Sequence, residues 1–133
     1  MSAWRREALQ RLPECRQLIE ESDNPMALWI NLHGACEDAY GEGNDALIQR
    51  FYDYARWCWQ SSNNQDVRST VACAFYEHLP LNPVIKKDLP RRMGRHMFNE
   101  LRDVFRFHLS PEEATRFEQE FSAAEEKFVR EIL

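Results

Sequence analysis

Three residue pairs come closest to chemistry. His33 and Cys36 stand three apart, a spacing at which one helix can turn two ligands toward a metal, and His78, His96 and His108 are further imidazoles that a fold could bring near. All of these histidines except His96 fall on an apolar helical stripe. A half-buried imidazole donating to a backbone carbonyl is the ordinary reading there, so no metal ligand is assigned. Glu77-His78 and Glu37-Asp38 place acid–base groups side by side, but helix neighbours diverge by about 100° and do not face each other. Neither pair is a dyad without help from elsewhere. The chain has no nucleophile elbow, zinc-protease helix or dinucleotide fingerprint. Of its four glycines, Gly41 and Gly43 share one turn, leaving little backbone to cradle a phosphate. No catalytic residue, metal or cofactor is expected, although an enzyme without a recognisable motif stays an alternative.

Charge carries more information. From Gln17 to Asp66, Arg50 and Arg56 face nine acidic residues, whereas from Lys86 to Leu109 seven basic residues face only Asp88, Glu100 and Asp103. A nucleic-acid-associated regulator would use this basic 86–106 stretch, with Lys86, Lys87, Arg91, Arg92 and Arg95 on phosphates. A net charge of −5 argues instead for a basic patch that meets an acidic protein partner. Arg91, Arg92 and Arg95 follow a proline-rich segment and are expected to be open to such a partner. A second set of anchors lies in the aromatic run Phe51 to Trp59. A helix apolar on every side is ordinarily a central one. If one face stays open, Tyr52, Arg56 and Trp59 are the residue types that dominate binding hot spots.

These side chains need helices to hold them, and the helices announce their starts. Asn24-Pro25, Asn44-Asp45, Asp66, and Ser110-Pro111 followed by Glu113 each offer a polar cap to first-turn N–H groups that have no partner. A helix opening at Pro25 ends at Gly41-Glu42-Gly43. The next runs to about Gln60, and the one from Asp66 ends at Leu79-Pro80. Pro80, Pro83 and Pro90 predict one or two short turns between Leu81 and Arg92, with Asn82 capping one of them. Met97, Phe98, Leu101, Val104, Phe105 and His108 then fit a single 3.6-residue stripe. Ala114, Phe117, Phe121, Ala124 and Phe128 form the seam of a last helix. Trp4, Ala8, Leu12, Leu18 and Ile19 mark a first one, kinked or split at Pro13.

About six helices result, an all-α fold in a compact antiparallel bundle or short stack of helix pairs. Sixteen aromatics and a 44% hydrophobic share are enough for one self-supporting domain over residues 1–133. No apolar stretch approaches a membrane span, and four scattered cysteines suit reduced thiols in the cytoplasm.

The segments PMALWINL (25–32), CEDAY (36–40), FYDYARWCW (51–59), AFYEHLP (74–80) and DVFRFHLSPEE (103–113) resemble an uncharacterised bacterial family of small helical domains, over roughly residues 5 to 120. The resemblance implies a bacterial helical domain of unknown function and carries over no site residue. Helical stacks of this kind most often present a face to another protein. The expectation is therefore a bacterial cytoplasmic interaction module that could neutralise a toxin or defence protein.

Overall fold

The computed structural model of the protein describes residues 1–132, and among them the fold is all-α, with no strand. The described chain divides into two compact units, Met1–Phe75 and one that begins at Tyr76.

The first unit contains α1 (Ala3–Arg11), a 3-10 turn (Pro13–Cys15), α2 (Arg16–Glu21), α3 (Pro25–Glu42), α4 (Asp45–Arg56), a π-helical turn (Trp57–Ser61) and α5 (Gln65–Ala74). Pro13 splits the first helix: it starts the 3-10 turn, where its missing N–H costs nothing. Asn24 caps α3 by accepting from the Ala27 N–H at 2.8 Å, and Pro25 fills the first helical position. Gly43 ends α3 at φ 68°, a left-handed conformation that a side chain would strain. Asn44 then caps α4. The cap of α5 is Asn64 and not Asp66. The Asn64 side chain accepts from the N–H groups of both Asp66 and Val67, two and three residues ahead, a reach Asp66 lacks from inside the first turn.

Helix α3 packs against α4 and α5, and α1 packs against α4. Trp29 is the centre of this core, its ring stacked on Tyr54 at 5.3 Å and tilted against Phe75 at 4.8 Å. Leu28, Leu32, Phe51 and Cys58 are buried around it. Burying a side chain of this size contributes about 1.5–3 kcal/mol, so a few such rings outweigh any surface contact in the unit.

The second unit contains a 3-10 segment (Tyr76–Leu81), α6 (Pro83–Arg92), α7 (Arg95–Glu100), α8 (Arg102–Arg106) and α9 (Pro111–Ile132). Nine α-helices among the described residues replace the expected six or so. Besides the split at Pro13, two differences explain the count. Leu81 to Arg92 is not a pair of short turns: α6 runs ten residues straight through Pro90. An interior proline costs about 3 kcal/mol, and burial of Ile85, Leu89 and Pro90 on a helix packed along α9 offsets it. The expected single helix after Arg92 breaks at Leu101, whose backbone leaves helical geometry at φ −91°, ψ 3°. Its stripe survives the break, with Met97, Phe98, Leu101 and Phe105 buried. The helix opening near residue 66 also ends earlier than expected, at Ala74, and passes into the 3-10 segment that holds Pro80. Before α9, Ser110 and Glu113 close a reciprocal capping box at 3.0 and 3.1 Å.

Candidate functional site

The basic stretch of the second unit has its acidic counterpart in its own chain. Lys86 lies 2.9 Å from Glu120, Arg95 2.7 Å from Glu125, and Arg106 2.8 Å from Glu118. Arg102 Nε also lies 2.9 Å from Glu118, as a charge pair off the hydrogen-bond line. All three acids belong to α9. Between the paired rims the floor is aromatic: Phe98 stacks on Phe121 with ring centroids 3.8 Å apart and meets Phe117 at 5.5 Å, while Phe105 takes Phe117 edge-on at 5.4 Å. Arg95 joins floor and rim, its guanidinium 4.9 Å from the Phe121 ring while it donates to Ser122 and Glu125. Helices α6, α7 and α8 thus form a groove with an aromatic floor and a cationic rim, and an amphipathic acidic helix fills it.

This placement revises the expected anchors. Arg92 is 7% exposed and donates to Asp88 at 2.7 Å, four residues back on α6. Asp88 also draws Arg91 to 3.9 Å, and Arg91 alone of the three arginines stays largely exposed. Arg95 is half-buried against α9. The three are therefore held in pairs, two of them intrahelical and one of those buried, where an open patch was expected. In the first unit Tyr52 is 3% exposed, and its hydroxyl shares a 2.9 Å hydrogen bond with that of Tyr40. It stands inside the core and not on an open face. Arg56 is exposed, and Trp59 is half-buried with Arg68 over its ring.

The candidate chemistry is likewise built into the fold. His33 Nε2 lies 3.5 Å from Glu37 on the same helix, and the ring meets Phe75 edge-on. His78 and His108 stack with centroids 5.1 Å apart, and Glu77 holds His108 Nε2 at 3.0 Å. Among the described residues no three His, Cys, Asp or Glu side chains converge on metal-binding geometry. No described cysteine is in a disulfide. Burial pushes the Cys58 thiol up to about 12, against the smaller opposing effect of Trp29 and Tyr54 beside the sulfur. Burial also pushes the Tyr54 hydroxyl up, and that hydroxyl donates to the Trp4 carbonyl at 2.8 Å. Neither group is poised to react at neutral pH.

One open groove lies in the first unit. Its volume is about 510 Å³, and Glu14, Cys15, Leu18, Glu21, Asn31 and Ala35 are among its lining residues. Arg50 pairs with Glu14 there and holds its carboxyl below the usual range, while burial raises the Cys15 thiol. Met26 and Ile30, one turn apart on α3, are 43% and 59% exposed. Residue types alone did not single out these two, because their apolar character read as core.

An all-α domain with its polar clusters locked in structural pairs is the class these observations define. The chain belongs to the family described as Domain of unknown function (DUF7674), matched over residues 5–110. The match ends one residue before α9, short of the stretch to about residue 120 that the sequence resemblance spans. No curated protein and no solved structure matches the chain.

Proposed function

We propose that the chain is a protein–protein interaction module of a bacterial cytoplasmic protein, which neutralises a partner such as a toxin or defence protein. The observation that carries this reading is the surface of the first unit. Eleven acidic residues face seven basic ones there, and Met26 and Ile30 stay exposed on the helix that forms one wall of the open groove. An exposed apolar pair on a unit with excess acid suits a basic protein face. Proteins that act on nucleic acid carry such faces, and an acidic module that covers one silences it. Arg56, Trp59 and Arg91 keep solvent access and remain candidate contacts. Cysteines without a disulfide support a reducing compartment. No described helix is long and apolar enough to cross a membrane.

The test is capture from a bacterial lysate at low salt with the full chain and with its Met26→Glu, Ile30→Glu double variant, followed by mass spectrometry. A basic protein retained by the natural chain and lost by the variant supports the reading. Equal capture by both removes α3 from the interface.

A further inference from the structure

We propose that the groove of α6, α7 and α8 is a receptor for an acidic amphipathic helix of a partner protein, and that α9 is its tethered occupant. The proposal concerns the second unit and does not rest on the α3 face.

Three observations converge on it. The first is the mode of contact. Phe117 and Phe121, four residues apart, enter an aromatic floor while Glu118, Glu120 and Glu125 meet Lys86, Arg95, Arg102 and Arg106 at the rim. Helix-in-groove recognition between separate proteins uses the same two elements, apolar anchors at i and i+4 with flanking charge. The second is extent. The family match stops at residue 110, and α9 begins at Pro111 behind its own capping box. The family match therefore ends where α9 starts, and the helix has a start signal of its own. The third is grip. Along α9 the fully buried residues are Ala114, Phe117 and Phe121; from Ser122 to Ile132 no side chain is fully buried, and Val129 and Ile132 are exposed. Full burial is confined to the first half of the helix, the second half is held through Arg95 on Ser122 and Glu125, and the half-exposed ion pairs are each worth roughly 0–1 kcal/mol.

Charge decides the chemistry of the partner. Four cations around a phenylalanine floor reject a basic helix and accept one with carboxylates flanking paired aromatics. A tethered helix acts at an effective concentration on the order of mM. A second copy of this chain brings an identical helix with no added contact to overcome that advantage. The occupant that displaces α9 is thus a different protein, whose helix fills the groove along more of its length.

The experiment nicks the full chain. A protease site is inserted between Leu109 and Ser110, the protein is folded and then cut, and a fluorescent peptide of residues 110–132 is added. The peptide is expected to exchange into the nicked protein and to bind the uncut protein at least tenfold more weakly. Changing Glu118, Glu120 and Glu125 to Gln in the peptide is expected to weaken binding tenfold or more, with a further loss as salt rises, and Phe117→Ala with Phe121→Ala to abolish it. A nicked protein that loses its cooperative unfolding, or that refuses exchange, overturns the proposal and makes α9 a permanent part of the core. Binding insensitive to the Glu→Gln changes overturns the acidic specificity. Dimers of the uncut chain that exchange α9 in sedimentation at 100 μM, on the order of a tenth of the tether's effective concentration, would overturn the choice of a foreign partner.

Discussion

The first unit holds all four tryptophans and eleven acidic residues against seven basic ones, whereas the second has no tryptophan and sets ten basic residues against eleven acidic. The first is built around packed rings, with Trp29, Tyr54 and Phe75 at the centre, and its acidic residues outnumber its basic ones. The second also has a ring cluster, but it closes that cluster with a helix whose carboxylates match its cations almost one for one. The difference teaches where charge is available. The first unit carries a net negative charge, while the rim cations of the second are met by carboxylates of their own chain.

Replacing the central ring of either unit gives the largest effect. Phe98→Ala and Trp29→Ala should each cost about 3–5 kcal/mol. Denaturant unfolding checks this, with circular dichroism reporting the whole chain and tryptophan fluorescence only the first unit. A loss below about 1 kcal/mol for Phe98→Ala would mean that α9 does not seal the groove. Next comes the contrast within α6. Arg92→Gln leaves the buried side of Asp88 without its charged donor and should cost about 1.5–3 kcal/mol. Arg91→Gln, on an exposed pair, should stay within about 0.5 kcal/mol. Equal effects would dissolve the distinction between buried and exposed arginines.

Smaller again is the capping of α9. Ser110→Ala should cost about 1 kcal/mol. Acid sharpens the same point. Backbone and side-chain hydrogen bonds from Ser110 lower the Glu113 carboxyl, and the hydrogen bond from Arg50 lowers that of Glu14. A carboxyl depressed on folding stabilises the fold above its ordinary value of 4.5 and loses that contribution as pH falls through its lowered value. Thermal midpoints should therefore drop below about pH 4.5, and Glu113→Gln should flatten part of that drop. The smallest effect separates the units by sign. Salt should weaken the second unit by screening its rim pairs and strengthen the first by screening its excess acid, each by less than about 1 kcal/mol.

Sequence reading reached these features unevenly, for physical reasons. Asn24, Asn44, Asn82 and the Ser110–Glu113 box act over two or three residues, so their spacing announces them. Asn64 and Asp66 are both capable caps, and only backbone direction decides between them. Pro90 reads as a breaker because the burial that overrides it comes from a helix more than twenty residues later. The rim pairs are invisible for the same reason: Arg95 and Glu125 are thirty positions apart, and no local spacing links them. The basic stretch was legible as a patch that needs an acidic partner, but the identity of that partner was not. Tyr52 misled because an all-round aromatic helix gives no hint of which ring faces out.

The π-helical turn at Trp57–Ser61 bears on how this chain tolerates changes of length. A π turn is the shape an α-helix takes when it accommodates one surplus residue without moving its neighbours. Deleting one residue there would restore ordinary winding and leave the residues on either side close to their present positions. Trp29, Tyr54 and Phe75, which lie outside the turn, would keep their packing. The turn is therefore the point along this helix where the loss of one residue disturbs its neighbours least.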